Sequence, residues 1–275
     1  MVPADKVVAL LPPTNHHLAR ARMLEDKIAL IQSAETQEEA FAQFNRAMLA
    51  YGYDSNVYTL LTDHPSIGLK STHGLVASYP RDWLDHYNAQ AYQQSDPVWQ
   101  RLLQSPTPFF WGDVMDRIKA DPNMPDDRLQ RALRVMNEAA EAGVADGIGI
   151  SYVNSFGEIA AVALSRSRGE KERRYKDMAE VFLLASFFHE KFRSFLVEPE
   201  LPRLTDRERE VLLWAAESKT DAEIGAILGI TPRAIRFHWS NIFGKLGVNG
   251  RMRAVVMAIQ FRLVSPQLIL PPCQD

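Results

Sequence analysis

Apolar residues recur at helical spacing near the end of the chain. They are separated by four, three and four positions, which places them on one side of a helix. The members of this stripe are Ile235, Trp239, Ile242 and Leu246. Thr231 is a preferred N-cap and Pro232 suits a first helical position, so the helix is predicted to begin there. Its polar residues, Arg233, Arg236 and Ser240, fall on another face.

Two helices are predicted to precede it, each starting with the T-x-x-E pattern of a capping box, at Thr205 and Thr220. The second spans residues 221–228 and ends at Gly229, because glycine most easily adopts the left-handed conformation after a helix. Its inward positions are predicted to be Ile224, Ile227 and Leu228. Helix, short turn and helix are therefore encoded locally.

A last helix is predicted to extend to residue 263, with Asn249 or Gly250 as its N-cap. Its apolar residues Val255, Val256 and Ile259 fit either a core or a dimer surface. The periodicity does not distinguish these two alternatives.

The first 196 residues mix helical and strand-like patterns. Residues 20–51 predict one or two helices, and a helical stretch begins at Pro80. Short β-like runs occupy residues 56–61, 75–78, 147–153 and 158–165, and the turn at residues 154–157 between the last two is typical of a hairpin. Since strands and helices do not alternate regularly, an α+β fold is favoured over a doubly wound parallel sheet.

A long helix, residues 173–196, is predicted to close this region. Its apolar residues recur every three or four positions as Met178, Phe182, Ala185, Phe188, Phe192 and Phe195. This face fits packing on the chain's own sheet, and equally a further contact with a second subunit.

Proline-rich segments suggest the domain boundaries. Two prolines between residues 197 and 203 cannot lie inside a helix, so this segment is predicted to be a linker. We expect a ligand-binding and dimerisation domain at 16–196, a DNA-binding domain at 204–265 and a tail at 266–275.

Charge is distributed unevenly between these parts. The chain has a net charge of −3, yet residues 201–265 hold ten Lys and Arg against six Asp and Glu, which gives +4 and leaves −7 for the remainder. A basic segment suits a polyanion such as double-stranded DNA, although basic helical faces are often only solvated. The single cysteine, Cys273, excludes an intramolecular disulfide and a cysteine metal cage.

In a helix-turn-helix the second helix enters the major groove, where arginine can bond guanine O6 and N7. Arg236 is therefore the first candidate for base recognition. Ser240 shares its face, and the residue types best suited to phosphate contacts are Thr231, Arg233, Asn241 and Lys245.

Residues 204–263 resemble the LuxR-type helix-turn-helix. The resemblance is carried by residues 205–212 (TDREREVL), 219–224 (KTDAEI) and 245–248 (KLGV). Two positions depart from the family pattern: Ser218 replaces a usual glycine and Gly250 a usual asparagine. Because family activators tend to contact RNA polymerase near the first of these, polymerase as a partner stays open.

The N-terminal region resembles the autoinducer-binding domain of LuxR-family quorum-sensing regulators. The residues that carry this resemblance are 79–87 (YPRDWLDHY), Tyr92, Asp96-Pro97-Val98, Trp111, Gly143 and Gly147-Ile148. The resemblance implies an antiparallel sheet between helices, a homodimer, a four-helix DNA-binding domain and an N-acyl-homoserine lactone as effector, with no cofactor or metal.

The resemblance also implies the ligand contacts. Trp83 would donate to the lactone carbonyl, Asp96 would accept from the amide, and Tyr79, Tyr87 and Trp111 would form the surrounding wall. From the residues alone, the aromatics at spacing i, i+4 and i+8 fit an ordinary core, and Asp-Pro fits a helix N-cap. Ala163 replaces a family Thr or Ser that can meet a ligand carbonyl, so the acyl substituent and the ligand class stay open.

An enzyme is the rival from another class. The chain shows no G-x-S-x-G, P-loop or H-E-x-x-H motif and no catalytic residue is predicted. A further alternative keeps the DNA-binding domain but replaces the lactone with another ligand, with a protein partner, or with no effector. Without a signal peptide or an apolar run of about 20 residues, a cytoplasmic protein is expected.

Overall fold

The computed structural model describes residues 15–64, 67–154, 156–167, 174–196 and 202–265. The chain forms two compact units, the first mainly before residue 197 and the second mainly after it. Most of the predicted linker (residues 197–201), the predicted tail (266–275) with Cys273, and Ser155 of the predicted turn lie outside the described residues. In the described ranges, no helix combines the length and the apolar character that a bilayer crossing requires.

The first unit contains five strands and seven α-helices within its described residues. They are α1 (Asn15–Gln32), α2 (Gln37–Leu49), β1 (Ser55–Leu60), β2 (Thr72–Ala77), α3 (Arg81–Ala89), α4 (Pro97–Gln104), β3 (Phe109–Phe110), α5 (Trp111–Ala120), α6 (Asp126–Glu141), β4 (Asp146–Val153), β5 (Ile159–Arg166) and α7 (Tyr175–Arg193). The helical pattern of residues 20–51 thus resolves into two helices, because Thr36 caps the start of α2 by accepting from the Glu39 N–H.

The strands form one sheet in the order β2-β1-β5-β4-β3, and β1 pairs antiparallel with both β2 and β5. Alternation along β1 sends Tyr58 to one face, where its ring contacts Phe188 and Phe192 of α7. Val57 and Thr59 face the other side, toward the cavity bordered by α3 to α6. The predicted α+β sandwich, with an antiparallel sheet between helices, is confirmed.

One part of the α7 prediction is wrong. Phe182, predicted on the buried face, is 38% exposed, whereas Val181 and Leu184 are fully buried. The sheet contacts a face of α7 that is rotated relative to the predicted one, and it includes Phe188 and Phe192. Packing of α7 on the chain's own sheet is therefore observed. A contact with a second subunit stays a prediction.

The second unit contains four helices within its described residues: α8 (Asp206–Ala216), α9 (Asp221–Leu228), α10 (Pro232–Leu246) and α11 (Arg251–Gln260). Both predicted capping boxes form, at Thr205 and Thr220. Gly229 ends α9 with φ of 67°, and Thr231 caps α10 by accepting from the Ala234 N–H. These boundaries were predictable because a capping box, an N-cap and a glycine stop each depend on residues that are close together in sequence.

The stripe of α10 is buried as predicted, together with Ile224. Ile227, however, is 46% exposed, so its inward assignment is wrong. The short helix α9 buries Ile224 and Gly225, so its buried arc is centred between these two positions. Ile227, two positions after Gly225, lies nearly opposite that residue on the helix and falls outside the arc. The helix α11, with Gly250 at its N-cap, ends at Gln260, three residues before the predicted end at residue 263. Val255 belongs to its core face, while Val256 and Ile259 are exposed.

Candidate functional site

A cavity lies between the sheet and helices α3 to α6. Its empty volume is about 540 Å³, including its opening to solvent, and aromatic and aliphatic side chains form most of its wall. A concave site with a mostly apolar wall and a few polar groups is typical of small-molecule binding. All the residues predicted to contact a ligand line it: Tyr79, Trp83, Tyr87, Asp96 and Trp111.

Local structure explains how these residues meet. Trp83 and Tyr87 are one helical turn apart on the inner face of α3, and Tyr79 lies just before that helix. Trp111 is the first residue of α5 and follows β3, which pairs with β4. The sequence thus predicted a set of side chains that the tertiary fold brings to one cavity.

Asp96 has two structural partners. Its Oδ1 accepts from the Val98 N–H at 2.7 Å as the N-cap of α4, and its Oδ2 accepts from Tyr87 Oη at 2.8 Å. Burial raises the pKa of Asp96 above its ordinary value, while hydrogen bonds from Tyr87 and from the Val98 and Trp99 backbone oppose the rise. The N-cap alternative is therefore observed, and the same carboxyl group also faces the cavity.

Three polar atoms in the cavity wall, Tyr79 Oη, Trp111 Nε1 and His73 Nε2, are shielded from solvent. Trp111 Nε1 and His73 Nε2 make no hydrogen bond within the described residues, whereas the Ser165 hydroxyl lies close enough to Tyr79 Oη to oppose the rise that burial causes in the pKa of Tyr79. Buried polar groups are almost always hydrogen-bonded in folded proteins. These atoms therefore mark positions where a polar group of a bound molecule would complete the wall. His73 was not predicted as a site residue, because β2 begins earlier than predicted and no predicted strand included it.

The rim of the cavity near Trp83 is held by Glu138 of α6. Its carboxylate accepts from Tyr92 Oη at 2.5 Å and Arg134 at 2.8 Å, and it lies 2.8 Å from His86 Nε2 on α3. Hydrogen bonds from Arg134, Tyr92 and His86 lower the pKa of Glu138 to about 2. The cluster links α3 to α6 across the edge of the cavity.

Ala163 on β5 also lines the cavity, where it contributes only a methyl group. The family position that usually supplies a hydroxyl therefore supplies none here. A ligand oxygen in this part of the cavity needs a donor from another element.

The predicted DNA-contacting residues lie on α10 and at its start. Thr231, Arg233, Arg236 and Ser240 are exposed, and Asn241 is half-buried. Phe237, beside Arg236, is 64% exposed and was not predicted, since aromatic residues are normally assigned to a core. The exposed side of α10 thus combines two guanidinium groups with an aromatic ring.

Lys245 has a partner inside the protein. Its Nζ lies 2.6 Å from Oε2 of the buried Glu208, and the same oxygen accepts from the Thr205 N–H at 2.7 Å. Burial alone would raise the pKa of Glu208, but the Lys245 ammonium and the Thr205 backbone outweigh it and hold the pKa below 4.5. Lys245 is therefore engaged in the fold at the position where a phosphate contact is predicted.

We expect Glu208→Gln to reduce amide hydrogen-exchange protection in α8 and α10 by about 2 kcal/mol at pH 7, since Lys245 loses its charged partner. Because the pKa of Glu208 is lower in the folded state, the carboxylate contributes fully above pH 4.5. Its contribution is lost as the pH falls through the folded-state pKa. Exchange measured by mass spectrometry on the full chain should therefore show a difference that shrinks on acidification.

Glu210→Gln is the matched control for this measurement. Glu210 pairs with Arg207 at 2.7 Å, but both side chains are nearly half exposed. Exposed pairs contribute little. Equal effects of the two substitutions would contradict a structural role for the pair of Glu208 and Lys245.

A second network joins the helices around Trp239. Trp239 Nε1 donates to Asp221 Oδ1 at 3.0 Å, and Arg251 donates to the same oxygen at 2.8 Å and to the carbonyl of Lys219. The Arg251 guanidinium also lies over the Trp239 ring. This junction of α9, α10 and α11 was not predicted, because its members are far apart along the chain.

Ser218, one of the two departures from the family pattern, has φ of 61°. It follows the end of α8, and the next N–H, of Lys219, returns to the carbonyl of Trp214. This is the position where a glycine avoids steric cost. The usual family glycine is thus explained by backbone conformation, and serine adopts the same conformation here.

Comparison with known proteins gives two family matches. Residues 36–192 match the model described as autoinducer binding domain, and residues 202–258 match the model described as bacterial regulatory proteins, luxR family. Metal-binding clusters of three or more His, Cys, Asp or Glu are absent from the described ranges.

Similar proteins cover most of the chain. The quorum sensing-dependent transcriptional regulator RpaR of Rhodopseudomonas palustris is 33% identical over 69% of this chain and 74% of its own. The transcriptional activator SolR of Ralstonia nicotianae is 27% identical over 87% of this chain and 98% of its own. A crystal structure of Escherichia coli SdiA covers 89% of this chain and 98% of its own, with a TM-score of 0.66 and 20% identity, which supports the fold.

Proposed function

The chain belongs to the LuxR family of autoinducer-binding, quorum-sensing transcription regulators, and from that premise we propose that its effector is an N-acyl-homoserine lactone. We propose further that it binds an inverted-repeat promoter site in the cytoplasm as a homodimer. Small-molecule response and DNA binding follow from the family. The ligand, the assembly and the residue roles are the proposal.

The observation that carries the ligand assignment is the arrangement of polar groups in an otherwise apolar cavity. Asp96 supplies an acceptor for an amide N–H, while Tyr79 Oη and Trp111 Nε1 supply donors for carbonyl oxygens. An acyl-homoserine lactone offers one amide N–H, two carbonyls and an apolar chain. In this proposal Trp83 donates to the lactone carbonyl, and Tyr79, Tyr87 and Trp111 enclose the ligand.

The alternative is that the cavity hydrolyses the lactone. One feature bears on it: Thr59 Oγ1 lies 3.2 Å from His73 Nδ1 in the cavity wall. Burial lowers the pKa of His73 to about 4, which makes this imidazole a weak base at neutral pH. We propose that the ligand is bound and released unchanged. Recovery of intact lactone after incubation with the full chain supports this, and ring-opened product contradicts it.

The domain assignment follows the family matches. We propose that residues 16–196 bind the effector and dimerise, that 197–203 link the domains, and that 204–265 bind DNA, with a tail at 266–275. Separate family matches to residues 36–192 and 202–258 support a division into two domains.

Exposed apolar side chains support a homodimer. On α11 these are Met252, Val256 and Ile259, and on α7 they are Phe182 and Leu183. In a twofold dimer, two copies of α10 would enter successive major grooves about one helical turn apart. RNA polymerase is a further proposed partner of the region around Ser218.

Arg236→Ala should relax sequence preference, because arginine can bond a guanine edge with two hydrogen bonds and this residue lies on the exposed side of α10. We expect a loss of roughly 1–3 kcal/mol on the preferred site and a much smaller loss on unrelated duplexes. Binding sites selected from a randomised duplex library, followed by anisotropy titrations, provide the measurement.

Arg233→Ala is the matched control, because we assign Arg233 to a phosphate. It should weaken all duplexes alike and reduce the slope of log affinity against log salt by about 1. A uniform loss on every duplex from Arg236→Ala would contradict its role in base recognition.

A further inference from the structure

Thr59 on β1 and His73 on β2 form a polar pair in the wall of the ligand cavity. Thr59 Oγ1 lies 3.2 Å from His73 Nδ1 and accepts from the Gly74 N–H at 3.2 Å. The His73 ring lies 4.4 Å from the Tyr87 ring and 5.5 Å from the Trp99 ring, measured between centroids. These contacts fix the imidazole on three sides.

The protonation state of this imidazole follows from its surroundings. Burial lowers the pKa of His73 to about 4, so at neutral pH the ring carries one proton. The Thr59 hydroxyl accepts from the Gly74 N–H and can donate its own hydrogen to Nδ1, which then acts as acceptor. In that arrangement the ring proton lies on Nε2, the atom that has no hydrogen-bond partner within the described residues.

The polar atoms of the cavity wall that face a ligand are mainly hydrogen-bond donors. Trp111 Nε1 and the His73 Nε2–H can only donate, and Tyr79 Oη can also donate. In the proposed complex, Trp83 and the pair of Tyr79 and Trp111 account for the lactone and amide carbonyls. An unsubstituted acyl chain has no further oxygen and gains nothing from His73, whereas a chain with an oxygen near its start gains a hydrogen bond to this buried donor.

We propose that His73 binds an oxygen acceptor near the start of the acyl chain, as in a 3-oxo- or 3-hydroxyacyl-homoserine lactone, and that Thr59 selects the donating tautomer. The position follows from Tyr87, whose ring contacts the His73 ring and whose hydroxyl donates to Asp96, the proposed amide acceptor. His73 would thus supply the donor that Ala163 does not. The inference rests on the proposed function and adds the substituent.

The first experiment compares lactones that differ only at the 3-position. Calorimetric titration of the full chain with N-octanoyl- and N-(3-oxooctanoyl)-homoserine lactone should give about tenfold tighter binding of the 3-oxo compound. His73→Phe keeps an aromatic ring without the donor, and it should reduce this ratio to about one by weakening only the 3-oxo compound. His73→Gln, which restores an N–H donor, should recover part of the ratio.

Thr59 provides a matched pair of variants. Thr59→Val removes the hydroxyl and should reduce the preference for the 3-oxo compound, whereas Thr59→Ser retains the hydroxyl and should preserve it. A merely structural role for Thr59 would alter the affinities for both lactones together and leave their ratio unchanged, which would contradict tautomer selection.

The tautomer of His73 can also be measured in the wild-type protein, so this test does not depend on whether a variant folds. Long-range ¹H–¹⁵N correlation spectra should show His73 as the neutral Nε2–H tautomer, and an Nδ1–H tautomer would overturn the inference. Equal affinity for the two lactones would also overturn it while leaving the proposed function in place. Binding of neither lactone would overturn both.

Discussion

Asp96→Asn is expected to weaken lactone binding by about a hundredfold, the largest effect of a single polar change in the cavity. Asparagine still caps α4 through its carbonyl oxygen, since Asn and Asp are comparable N-caps. The second carboxylate oxygen, which Tyr87 now contacts at 2.8 Å, becomes an NH₂ group that cannot accept from the ligand amide. Losing a hydrogen bond to a charged acceptor and leaving the amide unpaired costs roughly 3 kcal/mol.

Asp85→Asn is the control for this prediction. Asp85 lies on α3, and its side chain is 75% exposed beside Arg81. Titration calorimetry should show wild-type affinity for this variant, and circular dichroism should show that both variants fold. If Asp96→Asn folds and binds as tightly as the wild type, Asp96 is only a helix cap.

Gly225→Leu is expected to abolish DNA binding and to destabilise the DNA-binding domain by about 3 kcal/mol. Gly225 is buried in α9, and a Cβ atom there would lie 2.7 Å from the backbone oxygen of Ile230. Because this atom belongs to the turn that leads into α10, relief of the clash requires the turn to move, and α10 moves with it. Thermal unfolding of the full chain and anisotropy titration against a selected duplex measure the two effects.

Gly244→Leu separates this clash from a general effect of leucine. Gly244 lies in α10, it is exposed, and a Cβ atom there meets no heavy atom within 4 Å. Leucine also has a higher helix propensity than glycine, by about 0.8 kcal/mol. The melting temperature should therefore stay unchanged or rise. A similar loss in both variants would mean that the close approach at Gly225 is not the cause.

The helix boundaries of the DNA-binding domain were predictable because caps and glycine stops act over three to five residues. Contacts between distant segments were not. The pair of Lys245 and Glu208, which are 37 positions apart, was not predicted, and the phosphate contact of Lys245 stays a prediction. The hydrogen bonds from Trp239 and Arg251 to Asp221 were missed for the same reason, because these residues are far apart along the chain. Ile227 was misplaced because a two-turn helix buries a narrower arc than periodicity alone indicates.

The cavity likewise combines residues that could be predicted from the sequence with residues that could not. Resemblance gave the residues on α3, α4 and α5, and the fold brings them together. His73 and Thr59 were missed because a single polar residue in a strand carries no periodic signal, and its environment depends on pairing with another strand. The hydrophobic pattern also did not predict the two-residue strand β3 or the rotated face of α7, because both depend on how the sheet and helices pack.

The most direct test of the account is the melting temperature of the full chain, shown by circular dichroism to be folded, against a series of acyl-homoserine lactones. A ligand at a hundred times its Kd stabilises the folded state by about 2.7 kcal/mol. We therefore expect a rise of several degrees that depends on lactone concentration and is largely lost in Asp96→Asn. No shift with any lactone, or an equal shift in that variant, would contradict an acyl-homoserine lactone in this cavity.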